Sequence, residues 1–289
     1  MTRPAVEVLE PGPLTLVQDL GRFGHLAIGV GRAGAADLAS YRLGGRLVGN
    51  VAGAAALEVT FGGLALRVVQ DVLLALTGAP APALVDGLAM PHAAPVTAHA
   101  GQEVRLGRPP RGLRTYVSIR GGLAVPAVLG SRSTDTMSGL GPPPLAAGQL
   151  LDIGEWTQGY PNVDVAPVSD PPAGTVDLVV MRGPRADWFA RPKAIADGAW
   201  TVSDRSDRKG IRLEGVPLER HPTYLEAELP SEGMVRGAIQ VPPNGLPVLL
   251  LNDHPVTGGY PVVGVVRTVH IDRAAQLRPG QSVRLRWGS

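Results

Sequence analysis

The chain has 289 residues, 44% of them hydrophobic and 18% charged, enough for one large or two ordinary domains with a full apolar core. Its formal charge is only +2 although the isoelectric point lies near 9.2, and its basic residues are spread along the chain, which excludes a nucleic-acid footprint. The absence of cysteine excludes disulfides, thiolate metal sites and cysteine nucleophiles together.

All but two of the 27 basic residues are arginine, Lys193 and Lys209 being the exceptions, a bias that codon usage alone explains. The 38 glycines and 28 prolines, set in a chain this apolar, predict many turns between short elements. The first ten residues contain Arg3 and two glutamates but no apolar core, so no secretory signal is predicted. Apolar runs such as 248–251 are far shorter than the roughly 20 residues of a membrane span. A soluble, cytoplasmic chain with no membrane association is expected.

The first dense polar group is Gln18-Asp19-Leu20-Gly21-Arg22-Phe23-Gly24-His25. Its glycines permit a tight backbone path, and its side chains supply donors, acceptors and one group titrating near neutrality. A turn-stabilising ion pair between Asp19 and Arg22 is the plain alternative. A helix is predicted over 36–48, with Leu38, Tyr41, Leu43 and Leu47 on one face, Asp37 near its N-terminus and Gly49-Asn50 as its stop. Strands are predicted at 64–69, 72–76 and 116–119.

A second group follows, Arg120-Gly121-Gly122 and then Gly130-Ser131-Arg132-Ser133-Thr134-Asp135. Hydroxyls beside guanidinium groups on a glycine-flanked loop suit a carboxylate or phosphate, and suit equally a loop that satisfies its own backbone. The proline-rich stretch 159–174 has few large apolar residues and is predicted to link two domains, 1–165 and 174–289. Beyond it come a strand at 176–181, a short helix beginning at Pro184 and running through Ala186-Asp187-Trp188-Phe189 until Pro192, and strands at 248–251, 262–266 and 283–287. Strands at this spacing without alternating helices favour barrels or sandwiches, giving a mainly β fold.

The third group runs from Ser231 to Gly245 and, after a strand, through Asp253-His254-Pro255-Val256-Thr257-Gly258-Gly259-Tyr260-Pro261. A strand that delivers Asp, His, Thr, a Gly pair and Tyr into one loop makes a plausible rim for a small molecule, against the alternative of a decorated hairpin. Other chemistries lack a signature. No HxxxH pair, GxSxG elbow, GxGxxG or GxxxxGK[ST] loop occurs, and no metal site is expected.

Taken in order, these segments resemble the biotin-dependent carboxyltransferase family. It includes the C subunit of bacterial 5-oxoprolinase, the KipA-like proteins (also called allophanate hydrolase subunit 2) and the matching part of the urea carboxylase carboxyltransferase domain. The resemblance runs from about Val8 to the C-terminus. It is carried by Thr15 with Val17-Gln18-Asp19-Leu20-Gly21-Arg22, Arg46-Leu47-Val48-Gly49-Asn50, Ala56-Leu57-Glu58, Thr77-Gly78-Ala79, Arg120-Gly121-Gly122, Gly130-Ser131-Arg132-Ser133-Thr134, Ser206-Asp207-Arg208, Gly237-Ala238-Ile239-Gln240-Val241-Pro242 and Thr257-Gly258-Gly259-Tyr260-Pro261. Leu16, His25, Lys209 and Pro142-Pro143 depart from the family's usual residues, the last removing a potential anion-binding arginine.

The resemblance implies two cyclophilin-like β-barrel domains with one or two short helices, and pairing with the KipI-like B subunit and the A subunit of a 5-oxoprolinase. It implies ATP at the level of the complex and allows carboxybiotin on a separate carrier, since no Met-Lys-Met biotinylation site is present. The substrate expected is a lactam or amide, whose poor nitrogen nucleophile calls for donors on the carbonyl and an acceptor near N–H. By motif position, Asp19, Arg22, Asp253 and Tyr260 are the expected catalytic groups. Gln18, His25, Arg120, Ser131, Thr134, Gln240, His254 and Thr257 are the expected substrate-binding ones. The main expectation is the C subunit of an ATP-dependent 5-oxoprolinase that forms glutamate. The alternatives are the carboxyltransferase half of a urea or amide carboxylase, and a KipA-like antagonist of a kinase inhibitor without chemistry of its own.

Overall fold

A computed structural model describes residues 3–288. By contact the chain divides into two compact units. The first comprises Met1–Phe23, Ala33–Asp135 and Gly139–Pro171, and the second Gly24–Arg32, Thr136–Ser138 and Pro172–Ser289.

The first unit contains strands β1 (Arg3–Pro11) and β2 (Leu14–Gln18), helix α1 (Leu38–Leu47), and strands β3 (Ala56–Thr60), β4 (Leu64–Val68), β5 (Val72–Gly78), β6 (Ala83–Val85), β7 (Leu88–Ala89), β8 (Pro95–Ala98), β9 (Glu103–Leu106), β10 (Arg114–Ile119) and β11 (Leu150–Ile153). They form a six-stranded sheet, β11-β1-β4-β9-β6-β7, and a five-stranded one, β2-β3-β10-β5-β8. The core takes Val6, Val8, Leu66 and Val104 from the larger sheet and Leu57, Leu74, Leu76, Val117 and Ile119 from the smaller. Alternation along each strand puts these residues on one face.

Strand β10 is buried at all six positions because α1 covers the face turned away from that core. The helix presents Tyr41, Gly44 and Leu47 inward, its N-cap Asp37 accepts from Ser40 N–H, and Gly49 follows its end at φ 64°. A buried polar group holds its N-terminal end to the sheet. The Tyr116 hydroxyl donates to Glu58 Oε2 at 2.7 Å and accepts from Asp37 N–H at 2.8 Å, and Glu58 Oε2 also accepts from Ala36 N–H at 2.9 Å. Arg114 lies 3.4 Å from the other Glu58 oxygen, so the buried carboxylate has a counter-charge. Burial and the nearby carboxylates raise the Tyr116 hydroxyl well above its ordinary pKa, which keeps it a donor.

The second unit contains β12 (Val176–Arg182), α2 (Ala194–Asp197), β13 (Trp200–Val202), β14 (Gly210–Glu214), β15 (Glu232–Gly233), β16 (Ala238–Gln240), β17 (Val248–Leu250), β18 (Thr257–Gly258), β19 (Val262–Val266), α3 (Thr268–Ala274) and β20 (Ser282–Trp287). Seven strands close a barrel in the order β12-β19-β16-β17-β14-β13-β20, and β15 pairs with β18 as a separate ribbon. Closure comes from the parallel pairing of β12 with β20, Val176 opposite Val283 through Val180 opposite Trp287. Leu178, Trp200, Ile239, Leu249, Val263 and Leu285 fill the interior.

The mainly β class and the helix near 36–48 follow the sequence pattern. The helix expected from Pro184 is a single 3-10 turn, Ala186–Trp188, because Pro192 leaves no room for further turns and Phe189 is already extended. Helix α3 was not expected: it has only seven residues and buries just Ile271 and Ala274. His270 on α3 accepts a hydrogen bond from Val179 N–H through Nδ1 at 3.1 Å, which requires that nitrogen to be unprotonated. Burial and then the Arg273 charge lower its pKa. Burial likewise lowers that of His92. Because the folded pKa values lie below the unfolded value of about 6.5, this stability is full above that pH and is lost as pH falls through and below it. The urea midpoint is therefore expected to drop between pH 7.5 and 5.5, and a His270→Gln, His92→Gln variant to show a flatter pH profile over that window.

Candidate functional site

In the first unit the segments 17–22 and 128–135 are joined residue by residue. Asp19 follows the end of β2 and is 5% exposed. Its Oδ1 accepts from Gly21 N–H at 2.7 Å, Ser131 Oγ at 2.6 Å and Ser133 Oγ at 2.5 Å, and its Oδ2 accepts from Arg132 N–H at 2.6 Å. Buried Arg22 donates from Nε to the Val128 carbonyl at 3.2 Å and from Nη2 to the Ser133 carbonyl. Gln18 donates to the Thr134 carbonyl at 2.9 Å, while its buried Oε1 has no partner. Thr134 donates from Oγ1 to the Pro142 carbonyl at 2.8 Å.

Gln18, Asp19, Arg22, Ser131 and Thr134 are thus brought together, but as a buried lock between two loops. Arg120 is occupied in a similar way elsewhere in this unit. It donates from Nη1 to the carbonyls of Val48 at 2.9 Å and Gly49 at 3.3 Å and from Nη2 to that of Gln158 at 2.8 Å, with its guanidinium 3.8 Å from the Tyr160 ring centre.

In the second unit Asp253 is 1% exposed. Arg208 grips it bidentately, with Nε and Nη2 each 3.0 Å from a carboxylate oxygen, and Oδ2 also accepts from Thr136 N–H at 2.9 Å and Thr136 Oγ1 at 2.7 Å. A buried pair of this geometry is costly to break from one side, about 3–5 kcal/mol. The next residue, His254, donates through Nδ1 to the Pro255 carbonyl at 2.7 Å. His25, half-buried, precedes the 3-10 turn Leu26–Ile28, and its backbone carbonyl accepts from Ile28 N–H at 3.1 Å.

Gln240, Thr257 and Tyr260 are different: all three keep solvent access, and Tyr260 is 43% exposed. Gln240 ends β16, with Oε1 beside Gly258, and Thr257 opens the second strand of the ribbon. Tyr260 lines a cleft of about 830 Å³ whose other walls are 217–220, 225–229 and 243–245. Glu219, Glu226 and Glu228 make the rim acidic and Leu225, Leu229 and Pro243 make it apolar, while Arg220 donates to the carbonyls of Tyr224 at 3.4 Å and Ala227 at 3.2 Å.

Sequence reasoning passed over the wall 217–229 because it carries no motif. It equally passed over the ion pair between Arg185 and Glu232, 47 positions apart, for which the sequence holds no signal. Among the described residues no group of three His, Cys, Asp or Glu is placed to hold a metal ion, and no helix is long and apolar enough to cross a membrane.

The Asp19 geometry has a direct test. In Asp19→Asn one acceptor becomes an NH2 facing donors, so the first unit is expected to lose about 1–3 kcal/mol. A lowered urea midpoint in the isolated chain checks this.

Residues 28–287 match the model of the family described as carboxyltransferase domain, subdomain A and B. The chain is 35% identical to the C subunit of 5-oxoprolinase from Escherichia coli over 96% of its own length and 89% of that protein. It is 28% identical to urea amidolyase of Saccharomyces cerevisiae over 97% of its length but only 16% of that protein. Among solved structures, TTHA0988 superposes with a TM-score of 0.89 at 33% identity over 98% of this chain and 55% of that one. The Kluyveromyces lactis urea amidolyase gives 0.92 at 28% identity, covering 99% of this chain and 19% of that one. The chain therefore spans about half the length of the first solved structure it matches and a smaller part of the urea amidolyases. By sequence and by fold, it belongs to the carboxyltransferase domain, subdomain A and B, family.

Proposed function

We propose that this chain is the C subunit of an ATP-dependent 5-oxoprolinase, acting in the cytoplasm with the B and A subunits to open 5-oxoproline to glutamate. The observation that carries the reading is the 35% identity to the C subunit of a 5-oxoprolinase across nearly the whole of both chains.

In this reading the buried carboxylates and guanidiniums hold loops, and the groups that meet substrate are the accessible ones. Opening a lactam builds negative charge on its carbonyl oxygen, and a donor fixed beside that oxygen stabilises the change. The Tyr260 hydroxyl is suited to donate there, with Thr257 and Gln240 orienting the ring N–H and carbonyl. Asp19, Arg22 and Asp253 act one step back, as positioning groups for the loops they join.

The cleft beside Tyr260 does not suit a nucleoside triphosphate. The sequence has no phosphate loop, and the cleft beside Tyr260 carries three carboxylates against one arginine already engaged with backbone carbonyls. ATP is accordingly kept at the level of the assembled complex, and no step here is derived through it.

A second reading, the carboxyltransferase half of a urea or amide carboxylase, is favoured by the urea amidolyase match over 99% of this chain. Neither Lys193 nor Lys209 lies in a biotinylation motif, so carboxybiotin would arrive on a separate carrier.

Mixing the purified chain with its B and A partners, ATP and 5-oxoproline is expected to release glutamate only when all are present. An assembled complex that forms none overturns the first reading, and turnover that requires a biotinylated carrier favours the second. Tyr260→Phe is expected to lower kcat/KM about tenfold, in keeping with the loss of one donor to developing charge, without changing the thermal midpoint of this exposed site.

A further inference from the structure

The ribbon β15–β18 carries Thr257 and leads directly into Gly259 and Tyr260, yet it stands outside the barrel sheet. One end is fixed by packing. Met234 N–H donates to the Val256 carbonyl at 2.8 Å, and the buried Met234 side chain joins Ala238, Val248, Leu250 and Val262. At the other end Glu232 faces Gly258, and none of Glu232, Gly233, Thr257, Gly258, Gly259 or Tyr260 is buried. Met234 also lies against Gly258, and the chain re-enters the barrel at buried Pro261, whose carbonyl accepts from Val241 N–H at 3.0 Å, so it is the outer end of the Glu232 strand that apolar packing does not hold.

Arg185 does. Its Nε lies 3.0 and 3.2 Å from the two Glu232 carboxylate oxygens and its Nη2 reaches Oε1, a forked, charge-assisted contact. The pair lowers the Glu232 pKa and raises that of Arg185. The backbone of Arg185 is itself tied to the barrel, donating to the Val262 carbonyl at 3.1 Å, two residues past Tyr260. The approach of this corner to β19 is close enough that a Cβ on Gly183 would strike the Val262 carbonyl oxygen. The same corner holds the opposite wall of the cleft. Trp188 stacks on Tyr224 with ring centres 4.5 Å apart, Ala190 N–H donates to the Glu219 carbonyl at 3.0 Å, and His221 N–H donates to the Trp188 carbonyl at 2.8 Å.

We infer that Arg185 and Glu232 are positioning residues: their ion pair pins the outer end of the Glu232 strand to the corner that also carries the other wall of the cleft, and so helps set where Tyr260 stands in the cleft and where its ribbon neighbour Thr257 lies. The inference rests on the reading of Thr257 and Tyr260 as substrate-facing groups. A partly exposed ion pair adds little to global stability, so its removal frees the ribbon without unfolding the barrel. Because Tyr260 is assigned to charge that develops during reaction, a displaced ribbon costs turnover more than ground-state binding.

Two measurements on Arg185→Ala and Glu232→Gln test this. In the chain, hydrogen exchange over 232–234 and 257–258 is expected to accelerate about tenfold or more while strands β12, β19 and β20 keep their protection. In the complex assembled with the B and A partners, kcat for 5-oxoproline is expected to fall about tenfold to a hundredfold with KM within about threefold, and Arg185→Lys to recover part of the loss. Unchanged exchange in the ribbon, exchange that rises throughout the barrel, or kcat within about twofold of the parent overturns the inference. Exchange needs no turnover and reads whatever the substrate. If Tyr260→Phe and Thr257→Ala are both silent in the same assay, it is the reading of the site that fails.

Discussion

Four hydrogen-bond donors converge on the carboxylate of Asp19, two from serine hydroxyls and two from backbone amides, and the paths of two loops follow from that convergence. The loop after β2 turns back through Gly21 because its amide is drawn to Oδ1. The loop around 130 lies against it because Ser131, Arg132 and Ser133 are drawn to the same group. Arg22 then joins the loops a second time by donating to carbonyls of the facing segment. Each bond removes a buried polar group that would otherwise cost free energy, so the loops are specified jointly.

Much of this fold was legible in the sequence. Strands such as Val262–Val266 are continuous apolar runs bounded by turn residues, and α1 carries its cap and its stop in the expected places, with Tyr41 and Leu47 of the expected face buried and Leu38 and Leu43 half-buried. What the sequence did not reveal depends on pairs distant along the chain. Asp19 meets Ser131 across 112 positions, Arg208 meets Asp253 across 45, and Arg185 meets Glu232 across 47. Motif position and side-chain chemistry named Asp19, Arg22, Arg120 and Asp253 as candidate site groups, and a carboxylate or guanidinium in a glycine-rich motif looks the same whether it faces a ligand or a backbone carbonyl. Which neighbours such a group meets, and how deeply it is buried, are tertiary properties. The acidic wall 217–229 stayed silent for another reason: its residues are mostly exposed, and exposed residues impose no periodicity.

Arginine does most of the fastening in both units. Arg22, Arg120 and Arg220 each reach two or more carbonyls, while Arg114, Arg185 and Arg208 each meet a carboxylate. The fork of a guanidinium serves several acceptors at once, which a lysine ammonium does with less directional control. An arginine bias that began as a matter of composition thus supports many loops that have little apolar surface of their own. The cleft follows the same pattern: its one lining arginine is engaged in shaping the wall, which leaves the carboxylates of Glu219, Glu226 and Glu228 to set the local field.

The parallel contact of β12 with β20 joins the first and last strands of the barrel, more than a hundred positions apart. During synthesis the interior around Leu178 and Val180 cannot be sealed until 282–287 has left the ribosome. Until then β12 has an open edge, the kind of surface that invites pairing with another nascent chain. Sealing the barrel therefore requires a contact of high sequence separation, the kind that slows folding.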